Sequence, residues 1–315
     1  MQDTRAKFDD YYNSHLLHKF AELEEKRQIK LNVFIKRLVI TGIFIPLLLV
    51  LFWNSFWSDY IAESRNATEF TVYVLGFYVI SSFLYCQDPI TSFTLKVKDD
   101  IMKTFAAFWG DFHYINGITL SDEILKESHI FPYYDRKEGD DHFQGLYNDV
   151  CVTINEEKLY KRVRTKNGSY DAKVFEGIII QLAMNKKFKG KTVVLKDRGM
   201  FNIFKKIKRT ERVKLEDVVF ERHFEVFSDN QIEARYLLTT AFMERILAAK
   251  KIFNGKTIQF SFFDNKLLIA IATNQNMFEV SSLFSRTTNR KIINRAFEQF
   301  SSVMDLIDTL KLQQK

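Results

Sequence analysis

The sequence predicts an α+β protein in which a membrane-spanning α-hairpin precedes a mostly antiparallel sheet with packed helices. Three observations predict it. Two uncharged apolar runs, Leu38–Trp57 and Phe70–Cys86, stand close together. Beyond residue 145 the apolar residues change from helical spacing to alternation, and amphipathic helical patterns flank this strand-like region.

The first element is Met1–Arg37. Phe8, Tyr12, Leu16, Phe20 and Leu23 recur at three- and four-residue steps, with Glu22, Glu24, Glu25, Lys26 and Arg27 on other faces, so one long amphipathic helix is expected over 1–37. It lacks a sustained heptad, which favours packing on the chain's own later residues over an oligomerisation stalk. Leu38–Trp57 follows, twenty residues without charge; at about 1.5 Å per residue it spans roughly 30 Å, the thickness of a bilayer's hydrocarbon core. Phe70–Cys86 is seventeen residues, at the short end of what spans.

Lys26, Arg27, Lys30, Lys36 and Arg37 precede the first run and Lys96, Lys98 and Lys103 follow the second, whereas Ser58–Glu69 holds Asp59, Glu63 and Glu69 against Arg65. That asymmetry predicts a multi-pass protein of a bacterial inner membrane with both ends cytoplasmic. Trp53, Trp57 and Tyr60 suit an aromatic belt at the outer interface.

Asp88-Pro89 marks an expected helix boundary. Residues 91–315 are enough for one sizeable domain, and 11 Gly and 3 Pro in the whole chain leave little room for long loops. Ile90–Trp109 reads as a helix and Leu120–Ser128 as a short one capped by Ser121. His129–Gly145 reads as a polar loop. Strands are expected at Val150–Ile154, Ala172–Met184, Thr192–Leu195, Val218–Phe227, Thr257–Phe263 and Leu267–Ala272, the last two joined by an Asp264-Asn265 turn. Helices are expected at Ile232–Phe253, with Asp229 as a natural N-cap, and at Thr288–Leu310.

Several chemistries are excluded by residue type and spacing. Two cysteines make neither a disulfide framework nor a metal cluster, and no Ser–His–Asp, Cys–His or zinc-ligand spacing occurs. Gly190-Lys191-Thr192 has the ending of a phosphate loop, but Asn185 stands where the first glycine belongs and a strand follows. No catalytic residue and no cofactor is assigned. Asp140, Asp141 and His142 form the one acidic cluster with a metal or acid–base reading, set against the plainer reading of turn-forming acids on a surface.

The charge is uneven. Lys186–Lys214 carries net +10, more than the +7 of the whole chain. Within it Phe201 and Phe204 interleave with Lys205, Lys206, Lys208 and Arg209, and Arg212 and Lys214 follow. A basic-aromatic segment held near an anionic leaflet gains roughly 1 kcal/mol per cation, so contact with anionic lipid headgroups is the expected role of these eight residues. Nucleic acid is not expected as a partner, since no binding motif accompanies the charge. A protein partner is expected but its identity is not legible.

The polar half also resembles a family. Ser128-His-Ile-Phe-Pro-Tyr-Tyr-Asp135, Gly139-Asp-Asp141 with Gly145, Val174-Phe-Glu-Gly177, Asn185-Lys-Lys-Phe188 with Gly190 and Thr192, Arg212-Val-Lys-Leu-Glu216, Phe220–Leu247, Ile258-Gln-Phe-Ser-Phe262 and Leu267-Leu-Ile-Ala-Ile271 are similar, in order and spacing, to the bacterial membrane-anchored proteins catalogued as domain of unknown function 3137. The resemblance covers roughly Leu120–Glu279 and implies the paired spans and the domain, with no catalytic residues to carry over. The expectation is a membrane-tethered binding module. An enzyme acting on a membrane-proximal substrate through Asp140, Asp141 and His142, or a structural subunit of a membrane complex, are the alternatives.

Overall fold

The computed structural model describes residues 2–47, 67–166, 168–184, 187–197, 210–253, 256–273, 276–279 and 282–310. It divides into a helical unit, Gln2–Ile101 with Val280–Lys291, and a sheet unit, Met102–Glu279 with Ile292–Lys315.

In the helical unit, α1 (Gln2–Tyr11) and α2 (Leu17–Val39) are joined through a π-helical turn at Tyr12–Leu16, and a second π turn, Ile40–Phe44, follows α2. The turn has a cause in the sequence. Phe8, Tyr12, Leu16 and Phe20 step by four, more than the 3.6 residues of an α-turn, and the wider turn takes up the excess. All four are buried, with Leu23. The stripe packs on the chain's own later residues, as the missing heptad suggests. Glu24 accepts from the Thr287 N–H (2.9 Å) and hydroxyl (3.0 Å), and Arg27 donates to the Leu283 carbonyl (2.9 Å).

Helix α3 (Ala67–Phe108) lies antiparallel to α2 within this unit: Lys19 reaches the Asp100 carbonyl, Lys30 the Ser92 hydroxyl, Arg37 the Asp88 carboxylate, and Thr41 receives the Tyr78 hydroxyl at its carbonyl. The helix does not end at Asp88-Pro89; Pro89 lies inside it. Proline has no N–H for the carbonyl four residues back, which is that of Tyr85. Arg37 supplies the missing donor, at 2.7 Å from the Tyr85 oxygen, while its guanidinium stacks on the Tyr85 ring at 4.3 Å. Arg37→Ala is expected to destabilise the helix pair by about 1–3 kcal/mol, the cost of leaving that carbonyl unsatisfied. Unfolding of the full chain in detergent micelles measures it. Pro89→Ala restores the local N–H, so it should recover most of the loss; no recovery would exclude this account.

The apolar runs are helical where described. Phe70–Cys86 lies on α3, and Leu38–Val39 ends α2. Residues 48–66, with most of the first run and with Trp53, Trp57 and Tyr60, lie outside the described residues. Among the described residues no helix is long and apolar enough to cross a membrane.

The sheet unit is built on nine strands: β1 (His113–Asn116), β2 (Arg136–Tyr147), β3 (Val150–Thr165), β4 (Gly168–Ala183), β5 (Thr192–Lys196), β6 (Glu211–Val213), β7 (Phe224–Ser228), β8 (Thr257–Phe263) and β9 (Lys266–Ala272). Their order is β1-β2-β3-β4-β9-β8-β5-β7-β6, every pairing antiparallel. Register ties the sheet together through one row of partners, Tyr114–Phe143–Ile154–Ile180–Ile269–Phe260–Val194–Val226–Val213, one residue per strand. All nine are buried. The two outermost strands are short, four residues in β1 and three in β6.

Helix α8 (Arg290–Leu310) buries Ile293, Ala296, Phe297, Phe300, Met304, Ile307 and Leu310, the stripe legible in sequence. Phe300 meets Phe143 and Phe278 at ring centroids 5.0 and 5.8 Å apart. A second cluster joins Leu125 and Ile130, near α4 (Asp122–Glu127), to Leu159, Ile179 and Leu268 of the sheet.

Three further expectations are corrected. Arg136–Gly145 is strand, not loop, because its polar groups find partners across the ladder and Gly139 lets the backbone pass close to Ile118, whose carbonyl would lie 2.4 Å from a Cβ there. Val218–Phe227 is not one strand. Asp217 accepts from the Val219 and Phe220 N–H groups (2.9 Å each), which starts a helical turn, α5 (Val218–Glu221), ahead of β7. Ile232–Phe253 is two helices, α6 (Gln231–Leu237) and α7 (Thr240–Ile252), because Leu238 leaves helical geometry and Thr239 caps the second.

Candidate functional site

Two places in the sheet unit gather polar side chains. The first is a bulge. Gly139 pairs with Glu157 and His142 with Asn155, so Asp140 and Asp141 together face the single residue Glu156. One ligand oxygen from each of Asp140, Asp141 and Glu156 lies within 4.8 Å of the others. Asp141 accepts from the Tyr114 hydroxyl (2.7 Å), and Glu156 accepts from the Met277 N–H (2.7 Å). Burial, followed by the Asp141 charge, pushes the Tyr114 phenol well above its ordinary range. A carboxylate set of this kind suits a hard cation. His142 is not part of it, since its Nδ1 is bonded to Asn155 Oδ1 at 3.1 Å. The structure thus keeps two members of the Asp140–Asp141–His142 trio and replaces the third with Glu156, a residue that sequence spacing could not pair with them across a bulge.

The second place is a cleft of about 510 Å³ lined by Glu127, His129, Gly190, Lys191, Thr210, Asp229, Phe263 and Asp264. Its construction is local. Helix α4 ends at Glu127, and His129 takes a left-handed backbone (φ 55°) that histidine tolerates better than most residues. Gly190 (φ 89°) carries the chain against Asp229, whose Oδ1 would lie 2.4 Å from a Cβ, so only glycine fits. Asp229 Oδ1 accepts from the Lys191 N–H (2.7 Å), and the Lys191 ammonium pairs with Glu127.

Asp229 therefore holds the start of β5 and is not the helix cap. Asn230 caps α6, accepting from Ile232 and Glu233 at 3.1 Å each. The His129 Nδ1 is buried without a hydrogen-bond partner. Burial, and then the neighbouring Lys191 charge, hold its pKa below the ordinary value, against the opposing pull of Glu127 and Asp229.

The basic segment falls elsewhere. Phe201, Phe204, Lys205, Lys206, Lys208 and Arg209 lie outside the described residues. Arg212 sits on β6, its guanidinium 3.3 Å from buried Glu225, and Lys214 is exposed while its carbonyl accepts from Arg235. Lys191, at the same segment's start, belongs to the cleft. The cleft escaped sequence reading because its lining comes from four separate stretches. The signals that pointed to it, Gly190 and Asp229, each carry a commoner local explanation.

A search of curated proteins finds no match. Among solved structures, that of the mycobacterial trehalose monomycolate transport factor A is similar at 12% identity, covering 67% of this chain and 95% of that chain, with a TM-score of 0.34. Residues 173–312, from β4 through α8, match the family described as "Protein of unknown function (DUF3137)", and through these residues the chain belongs to that family.

Proposed function

We propose that the protein is an integral membrane protein of a bacterial inner membrane, anchored by a two-span hairpin, Leu38–Trp57 and Phe70–Cys86, and that its sheet unit is a binding module at the bilayer surface. The observation that carries this reading is the exposure of large apolar side chains around both described arms. On one arm Leu38, Ile40, Ile43, Phe44 and Leu47 are exposed; on the other Val72, Phe77, Val79, Ile80, Phe83 and Leu84 are, with Phe77 at 75%. A water-soluble monomer rarely leaves so continuous an apolar surface uncovered. Lipid solvates it. The bonds from Tyr78 to the Thr41 carbonyl and between Thr41 and Cys86 (3.6 Å) join the arms in the manner of membrane helices. Lys30, Lys36 and Arg37 at the start of the first run fit the cytoplasmic side.

At that surface the basic-aromatic residues Phe201, Phe204, Lys205, Lys206, Lys208, Arg209, Arg212 and Lys214 contact anionic headgroups. The full chain in nanodiscs tests both parts. Alkaline carbonate should leave the chain in the membrane fraction, and its release would sink the anchor. Trypsin should cut within Lys205–Lys214 more slowly in anionic than in neutral discs, with the difference lost in high salt. Equal cutting rates would remove the headgroup contact and leave the anchor standing.

A further inference from the structure

The cleft at Glu127, His129, Lys191 and Asp229 belongs to the sheet unit and stands independently of the membrane reading. Its volume falls in the range of small-molecule sites. Three carboxyl side chains, Glu127, Asp229 and Asp264, face one ammonium, Lys191, so the lining favours a positive guest.

The nature of that guest follows from two further facts. Among the described residues, the carboxylate and imidazole atoms of the cleft form no group of three within 4.8 Å, whereas Asp140, Asp141 and Glu156 do. A metal ion needs such convergence, and a longer molecule that spreads its donors does not. The second fact is the buried, unpartnered Nδ1 of His129. A buried polar atom without a partner is uncommon, and a neutral imidazole nitrogen accepts a hydrogen bond from a cationic N–H. His129 is held toward its neutral form by burial and by Lys191.

We propose that this cleft binds an organic cation, a compound with a primary ammonium or guanidinium group that donates to His129 Nδ1 and pairs with the carboxylates of Glu127 and Asp264. Lys191 is then a competitor: its ammonium occupies Glu127, and the guest shares or displaces that pair.

The sign of the Lys191 effect separates this proposal from its opposite. In an anion site Lys191 is the anchor, and its loss weakens binding. In a cation site its loss frees Glu127 and tightens binding.

The test is calorimetric titration of the full chain in detergent micelles with cadaverine, with glutarate as the dicarboxylate of the same length, and with Mn²⁺ alone. Cadaverine should bind saturably and glutarate should not. His129→Asn, which keeps a residue tolerant of the left-handed backbone, should weaken cadaverine about tenfold, the usual effect of losing one hydrogen bond to a charged group. Lys191→Gln should tighten it several-fold, and this second variant keeps the test decisive if His129→Asn fails to fold. Binding of glutarate or Mn²⁺ in preference to cadaverine would overturn the proposal, as would cadaverine binding that Lys191→Gln weakens or leaves unchanged.

Discussion

Phe300→Ala is expected to lower the stability of the sheet unit by about 3–5 kcal/mol, the range for removing a fully buried phenylalanine. Phe300 lies on α8 with no exposed surface. Its ring meets those of Phe105, Trp109, Phe112, Phe143 and Phe278 at centroid distances of 5.7, 5.4, 5.8, 5.0 and 5.8 Å. Several contacts are edge-on, the arrangement aromatic quadrupoles favour. Alanine would leave a void that five rigid rings cannot close, whereas Phe300→Leu refills most of it and should cost markedly less. Amide exchange in β2 and β3 reads the loss directly, since Phe143 and Ile154 form the row next to the cluster. Unchanged protection there in Phe300→Ala would mean that α8 is not what holds the sheet.

Glu157→Gln is expected to stabilise the sheet unit above neutral pH and to do little in acid. Glu157 is fully buried on β3 and accepts from the Leu120 N–H, while its other oxygen has no hydrogen-bond partner. Burial raises its pKa from 4.5 to about 7, against the opposing Leu120 N–H and the Lys137 charge, and Asp122 adds to the rise. The native state thus holds a proton that the unfolded chain releases near 4.5. Below that pH both states are protonated and the group is neutral to stability. Between 4.5 and 7 stability falls as pH rises, and above 7 the penalty is complete, about 3 kcal/mol at 1.36 kcal/mol per unit. Gln keeps the acceptor for Leu120 and cannot ionise, so denaturation midpoints at pH 8 should rise while those at pH 4 stay close to wild type. A variant with the same midpoint as wild type at both values would show that Glu157 does not ionise in the folded chain.

The sequence made legible those elements whose periodicity was long or whose caps were unambiguous. Helix α8, the β8–β9 hairpin with Asp264 and Asn265 at φ 48° and 54°, and the Ser121 cap of α4 were all readable. What failed did so where a distant residue decided the outcome. Pro89 reads as a boundary because proline strands a carbonyl, and only Arg37, 52 positions earlier, makes the continuous helix tolerable. Arg136–Gly145 reads as loop because its charges and glycines look solvent-bound, yet Tyr114, Asn155 and Tyr160 on paired strands satisfy them. Asp229 was taken for a cap because caps are local, but its partner is Lys191, across the β5–β7 ladder. The candidate sites share that difficulty: a bulge that sets two aspartates against Glu156, and a cleft closed by His129, Lys191 and Asp264, exist only once the strands are in register.

The ends of the sheet carry one more consequence. A chain anchored in a bilayer diffuses in two dimensions, so copies meet at local concentrations far above those of a free protein. A nine-stranded sheet in such company is prone to add a neighbour's strand to its own rim. Here each rim offers very little backbone to copy: four residues of β1 on one side, and three of β6 on the other, two of them the charged Glu211 and Arg212. The strands long enough to template a growing ribbon, β3 and β4 at 16 residues each, are flanked on both sides. Crowding on a surface therefore leaves these molecules as neighbours rather than as a fibre.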